Sequence, residues 1–355
     1  MPDEKKCLRG SGPRLHGKEG RRAMKRAMLG VVSGMTLVAG LALAPPASAE
    51  ITEKITVRLG HVMPPNHFEN EAYQRTAEIV AEKSGGMIEI RVFPASQLGS
   101  EREQTEQVEL GALECHSSGG AIQNYAPGLG AWSLPFIFRG PEHYDKVMDG
   151  PVGEQFRDML LDNSNIRLLA FFPNGERMFF NNDEPYTELA DFDGVKIRVD
   201  DQPVSAQIWR ALGANPVPIA FAELYTSLQT GVVDAGENPP INIIRMKFYE
   251  VADYVTETRH SLTTMALMCN EPWWQGLPEE ARTIIMDAVA EITPWRRQAA
   301  WEADQAAIEE LKQLGVMVSE IEDRSEFEQA LLPLYEQFGE STGTTDLIAQ
   351  IRNTE

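Results

Sequence analysis

Residues 194–238 read GVKIRVDDQPVSAQIWRALGANPVPIAFAELYTSLQTGVVDAGEN. Lys196 to Asp200 alternates Val and Ile with charge, the pattern of a short strand. Gln202 to Leu212 has helical spacing, and Gly213 stands where a glycine ends a helix. Val217 to Ala220 is apolar again, and Ala222 to Thr230 predicts a second short helix stopped by Gly231. Val232 and Val233 open a third predicted strand, which runs through Asp234 into a loop at Gly236-Glu237-Asn238. Strands alternating with helices at these lengths form βαβαβ units around a mostly parallel sheet. Such sheets hold ligands at the carboxyl ends of their strands. Arg198 is near one such end and Asn238 just past another.

Working outward, the pattern recurs. Ile55–Val62, Met87–Phe93 and Leu113–Ser117 read as strands, separated by helical stretches at Phe68–Lys83 and Ser100–Leu110. Ser100 and Glu103 have the spacing of a capping box at the start of the second helix. The third strand runs into a small polar loop, Ser118-Gly119-Gly120. Ile166–Phe172 is a further strand, and Pro173-Asn174-Gly175 after it suggests a crossing between two domains. Tyr254–Met268 is extended without a clear break and could return the chain to the first domain. Pro278–Leu314 is a long helical pattern, with Pro294 predicting a kink or break. The chain therefore reads as two α/β domains that exchange strands.

Charge narrows the function. The 355 residues carry a formal net charge of −21. Residues 1–49 hold nine Lys/Arg and three Asp/Glu, so the rest carries 23 basic and 50 acidic residues, a charge of −27. That excess disfavours nucleic acid as a partner, because phosphates would be repelled. It does not forbid an anionic small molecule, since a few arginines can reverse the field inside a cleft.

The N-terminus has the layout of an export signal. Arg21, Arg22, Lys25 and Arg26 precede an uncharged stretch from Met28 to Ala44, and Ala47-Ser48-Ala49 matches an A-x-A cleavage site. Residues 1–49 are expected to be a signal peptide cut after Ala49, leaving a protein in the periplasm. Two cysteines would remain, Cys115 and Cys269; an oxidising compartment permits a disulfide between them, but both lie in strand-like apolar runs and read rather as two buried thiols.

Several blocks together resemble one family. They are Gly194-Val-Lys-Ile-Arg198-Val, Leu212-Gly-Ala-Asn-Pro-Val-Pro218, Glu223-Leu-Tyr225, Leu228-Gln-Thr-Gly-Val-Val-Asp234 and Glu237-Asn-Pro239. Gln97-Leu-Gly-Ser-Glu101, Leu134-Pro-Phe136 and Leu277-Pro-Glu279 fit as well. The chain resembles the substrate-binding proteins of tripartite ATP-independent periplasmic (TRAP) transporters, the DctP-like family. Ala235-Gly236 departs from the pattern, where the family usually has Gly-Gln.

The resemblance implies an α/β, two-lobed periplasmic binding protein of type II, the Venus-flytrap kind, with hinge strands and a long C-terminal helix spanning the lobes. Residues 50–174 plus 264–303 would form lobe I, and 175–263 plus 304–355 lobe II. It implies a small organic anion as ligand, a membrane permease of small and large subunits as partner, a monomeric receptor and no cofactor. Arg198 matches the family arginine that pairs with a substrate carboxylate, a group its two parallel donors suit. Asn238 matches an asparagine at the same ligand end, and Arg177 a second arginine near it. Phe221 occupies a place where an aromatic ring often meets the ligand. His61 and Ser118 follow strand ends in the first lobe and could also face the cleft. A receptor for an ATP-driven importer and a periplasmic enzyme using the same cleft are the alternatives. Catalytic signatures are weak: no G-x-S-x-G elbow, H-E-x-x-H or P-loop occurs, and His61, His67 and His116 do not have metal-ligand spacing.

Overall fold

The computed structural model describes residues 50–355. The export signal read over residues 1–49 lies outside the described residues. The first half of the chain runs β1 (Ile55–Gly60), α1 (Phe68–Lys83), β2 (Ile88–Phe93), α2 (Glu101–Glu109), β3 (Cys115–Ser118), α3 (Pro141–Met148), α4 (Pro151–Asn163) and β4 (Ile166–Glu176). Next come β5 (Met178–Asn181), β6 (Lys196–Val199), α5 (Pro203–Ala211), β7 (Asn215–Pro218), α6 (Leu224–Gln229), β8 (Ala235–Asn238), α7 (Pro240–Arg245) and β9 (Tyr254–Glu257). The chain ends with β10 (Leu262–Asn270), α8 (Glu271–Gly276), α9 (Glu279–Gln313), β11 (Met317–Glu320), α10 (Arg324–Leu331), α11 (Pro333–Thr342) and α12 (Thr345–Asn353).

These strands make two sheets, ordered β2-β1-β3-β10-β4 and β11-β9-β5-β8-β6-β7. In each, one returning strand is antiparallel to its neighbours: β10 in the first sheet and β5 in the second. The remaining pairs are parallel, as the alternating pattern requires. Two lobes follow, each built on one sheet. The capping box read at Ser100 is present, with Glu103 as its partner.

Several expectations need correction or sharpening. The third strand of the central block is β8 at Ala235–Asn238, not Val232-Val233; the residues read as a loop are the strand itself. Val232 is instead 56% exposed, in the turn after α6. Pro173-Asn174-Gly175, read as a crossing between the domains, is the end of β4, paired with β10 at Pro173, and the chain crosses into β5 and the second sheet directly after it. The stretch from Tyr254 does break, between β9 and β10, and each part joins a different sheet. Finally, Cys115 and Cys269 form a disulfide. They face each other in the antiparallel β3–β10 register. Their separation of 154 residues hides that pairing from the sequence. Closing so long a loop restricts the unfolded chain. Reducing agent, or Cys115→Ser with Cys269→Ser, is expected to cost about 2–5 kcal/mol of stability, read as a lower thermal midpoint. An unchanged midpoint, or two titratable thiols in the oxidised protein, would rule the bond out.

The long helix α9 is continuous through Pro294, so no break occurs there. Its first half packs Ala281, Ile285, Ala288 and Val289 with Val57 and Leu59 of the first lobe. Its second half packs Ala307, Ile308 and Leu311 with Met178 and Phe180 of the second. Just past the proline, Arg296 Nη1 donates to Pro173 O (3.0 Å) and Arg297 Nη2 to Phe171 O (3.2 Å), which fasten the helix to β4. No helix among the described residues is long and apolar enough to cross a membrane.

Three segments cross between the lobes: β4 into β5, β9 into β10, and α9. One guanidinium touches all three. Arg259, between β9 and β10, donates to Glu176 at the end of β4 (2.7 Å) and to Glu257 (2.9 Å), and lies 3.5 Å from Asp304 on α9. Burial pushes the Asp304 carboxyl up to about 7, against the pull of Arg259 and with help from Glu176 and Glu257. A carboxyl with a raised folded-state pKa stabilises the native state only while protonated. That contribution is complete below about pH 4 and is lost as the pH rises to about 7. Against wild type, Asp304→Asn is therefore expected to remove a loss of up to about 4 kcal/mol between pH 4 and 7. Parallel pH dependences in chemical denaturation of the two proteins would contradict this.

Candidate functional site

The cleft between the lobes is lined from both sides. A cavity of about 320 Å³ is bounded by Ser100, Glu101 and Arg102 of lobe I and by Arg198, Asp200, Asp201 and the 218–221 turn of lobe II. Deeper in the cleft a smaller cavity is lined by Val62, Met63, Glu101, Gly119, Thr263 and Met265, with Arg177, Arg198, Asp200, Gln202, Phe221, Asn238 and Asn242 opposite. Of the six residues singled out in the sequence, Arg177, Arg198, Phe221 and Asn238 meet in this smaller cavity.

Arg198 enters from β6. It is 2% exposed, and its Nε donates to Ile219 O at 2.8 Å. Among the described residues no carboxylate lies within 4.0 Å of it. Burial pulls its pKa down, offset by the charges of Asp200 and Glu237. A guanidinium remains charged under such a shift. Its Nη1 and Nη2 make no hydrogen bond among the described residues, so the two-pronged donor face is free. The Phe221 ring is 5.8 Å away and walls the same space.

Arg177, at the crossing into β5, is in the opposite situation. It makes a bidentate pair with Glu237, donates to Thr263 Oγ1 at 2.9 Å, and lies 3.4 Å from Asp200. Burial would raise Glu237, but the Arg177 charge and hydrogen bonds from His260 and Arg177 hold it at about 2. The same carboxylates, Glu237 first, raise Arg177 against the effect of burial. Arg177 is thus saturated by protein groups and Arg198 is not.

The orientation of Asn238 follows from a chain of protons. His67 Nδ1 accepts from Glu69 N (3.1 Å) at the start of α1. Burial holds His67 well below its ordinary pKa, so it is neutral and its proton sits on Nε2. Nε2 donates to Asn242 Oδ1 at 3.0 Å, which leaves the Asn242 amide to donate to Asn238 Oδ1 at 2.9 Å. Asn238 Nδ2 is then a donor, buried and without a partner among the described residues. A buried unpaired donor is costly unless something accepts from it.

His61 and Ser118 do not line the cavity. His61 bonds Asn70 at 3.2 Å, and burial lowers its pKa to about 4. Ser118 donates to Glu101 at 2.6 Å and so sits one layer behind the wall. Sequence reasoning missed Glu101, Asp200, Gln202, Asn242 and Thr263. Gln202 also bridges the lobes, accepting from Gln123 (2.9 Å) and Ser133 (3.0 Å). It passes so close to Gly120 that a Cβ there would come within 1.8 Å of its Cγ. A polar residue after a strand facing a Gly-Gly loop was the available signal.

A cavity of about 760 Å³ lies elsewhere, against α9 near Pro294. Its cation Arg297 is already bonded to Asp145 (2.9 Å) and Asp149 (2.6 Å), so it offers no free charge. Among the described residues no three His, Cys, Asp or Glu side chains converge as a metal site.

Residues 59–342 match the family model described as bacterial extracellular solute-binding protein, family 7. The chain belongs to this family. A solute-binding protein of Roseobacter denitrificans is 34% identical over 75% of this chain and 80% of its own. The C4-dicarboxylate-binding periplasmic protein DctP of Rhodobacter capsulatus is 32% identical over 92% and 98%. Among solved structures, a TRAP periplasmic solute-binding protein of Bradyrhizobium in complex with galacturonate superposes with a TM-score of 0.81. It shares 31% identity, over 84% of this chain and all of that one. The sugar-acid-binding protein of Advenella mimigardefordensis in complex with galactonate gives 0.82, at 28% identity over 85% and 98%. This solute-binding protein therefore shares the two-lobed α/β fold of the TRAP receptors. Several of its relatives are, by name, periplasmic binding proteins.

Proposed function

We propose that this solute-binding protein is the receptor of a TRAP transporter and binds a small organic acid in the interlobe cleft, with the ligand carboxylate on Arg198. The supporting observation is the buried Arg198 guanidinium, which faces a cavity with both Nη groups free while its neighbour Arg177 is fully paired. Two parallel N–H donors fit a carboxylate, and Asn238 Nδ2 adds a third donor beside them. Phe221 covers the ligand's apolar face. The solved relatives in complex with galacturonate and galactonate hold acids of this class.

Ligand held between lobes favours the closed arrangement, because only that form contacts it from both sides. The closed monomer would dock on a permease of small and large subunits and release the acid for import driven by an ion gradient. The mature protein would work in the periplasm, with the signal removed after Ala49, and would not turn its ligand over.

Calorimetric titration of the mature protein with D-glucuronate, D-galactonate, malate and succinate tests this. One acid binding with a one-to-one stoichiometry, and returned unchanged, supports the reading. A flat response to every acid, or conversion of the bound acid, would overturn it.

A further inference from the structure

Gln202 stands at the seam between the lobes, after β6 and before α5, and is buried. Every polar atom of its amide is committed. Oε1 accepts from Gln123 Nε2 (2.9 Å) and Ser133 Oγ (3.0 Å), and Nε2 donates to Asp200 Oδ2 (2.8 Å). The two donors belong to lobe I, in the short helical turns 121–124 and 127–133 that follow β3, whereas Asp200 follows β6 in lobe II. Two donors on one side and a carboxylate on the other permit a single orientation of the amide. Gln123 and Ser133 are buried as well, so parting the lobes would strand polar groups that now satisfy one another.

The side chain also fits a hole that a glycine leaves. A Cβ on Gly120 would come within 1.8 Å of Gln202 Cγ and 2.3 Å of its Cδ. Gly120 has φ −141°, not the left-handed value that demands glycine, so what the position accommodates is the approach of Gln202. Neighbouring contacts between the lobes are weaker. Arg102 lies 3.5 Å from Asp201 and Asn124 Nδ2 is 3.4 Å from Asp201 O, both at the exposed rim, where such contacts contribute little. On the ligand side, Asp200 Oδ1 accepts from Ser205 Oγ (2.8 Å) and the carboxylate lies 3.4 Å from Arg177. Gln202 and Ser205 together hold Asp200 beside Arg177 and away from Arg198.

Building on the function proposed above, we propose that Gln202 is a positioning residue that locks the lobes over the ligand. Its side chain seats in the Gly120 socket of lobe I as the cleft closes, and its Nε2 holds Asp200 on Arg177 so that Arg198 stays open to the ligand acid. Contacts made only in the closed form retain the ligand by slowing its escape, not by speeding its entry.

The test is a double-mutant cycle of Gly120→Ala and Gln202→Ala, read by calorimetry and by stopped-flow kinetics with whichever of D-glucuronate, D-galactonate, malate and succinate the wild type binds. Each single variant gives up the two bonds between the lobes and should weaken binding roughly ten- to hundredfold, as the loss of two ordinary hydrogen bonds would. The loss should appear as faster dissociation at an unchanged association rate, a split that a merely structural defect would not produce. Once Gln202 is cut back, the methyl at position 120 has nothing to strike, so the double variant should bind within about twofold of Gln202→Ala. Should Gly120→Ala not fold, Ser133→Ala, which removes one donor to Gln202 and adds no bulk, takes its place in the cycle. Losses that multiply across the cycle, or a Gly120→Ala protein that binds like the wild type, would overturn the seat while leaving the receptor reading intact. A wild type that binds none of the acids would sink both.

Discussion

Arg198→Met is expected to abolish acid binding without damaging the protein. Removing one partner of a buried, hydrogen-bonded charge pair costs about 2–5 kcal/mol, or roughly 30- to 4,000-fold in affinity. The free protein should behave the other way. Arg198 is buried, has a single hydrogen bond to a carbonyl, and has no carboxylate within 4.0 Å among the described residues. Such a cation is an energetic burden on the empty chain, tolerated because the bound state uses it. An apolar side chain of similar length should leave the thermal midpoint of the free protein unchanged or raised. Calorimetry and a melt on the same preparation separate the possibilities. Lost binding with an intact or higher midpoint fits the proposed role. A large drop in midpoint would make Arg198 a structural residue, and retained binding would remove it from the site.

Glu237→Gln should have the largest effect on folding. Glu237 is fully buried, pairs with both prongs of Arg177 and takes a contact from His260 at 3.5 Å. Breaking a buried pair from one side leaves the other charge uncompensated, at about 3–5 kcal/mol. Asp200, 3.4 Å from Arg177, would recover only part of this. The double change Arg177→Met with Glu237→Gln should be milder than Glu237→Gln alone, because it strands no charge. The measurement is denaturant unfolding of the wild type and the two variants. A single variant costing less than about 1 kcal/mol would show that the pair is not the fixed element described here, since even one lost neutral hydrogen bond is of that order.

Much of this architecture is legible in the sequence because the period of its apolar residues changes so regularly between strand and helix. The 194–238 block shows this most clearly, and its Arg198 and Asn238 are at positions that the alternation places at strand ends. What was not legible depends on contacts distant in sequence. Cys115 meets Cys269 only because β10 returns antiparallel to β3. Glu101 looks like an ordinary acidic residue in the first turn of a helix, and only the fold brings the 118–121 loop onto it. His61 and Ser118 follow strand ends as expected, yet Asn70 and Glu101 engage their side chains behind the cavity wall. The unusual Ala235-Gly236 also has a packing reason. Both are in β8, and a Cβ on Gly236 would come within 2.6 Å of the Phe180 ring. A larger residue there would have to displace the buried Phe180 ring of β5.

The most direct test is a crystal structure of the mature protein grown with D-glucuronate. The account predicts the sugar acid in the interlobe cleft, its carboxylate on Nη1 and Nη2 of Arg198 with Asn238 Nδ2 donating to the same group. A carboxylate bound elsewhere, for example against Arg297 in the larger cavity beside α9, with Arg198 untouched, would contradict it.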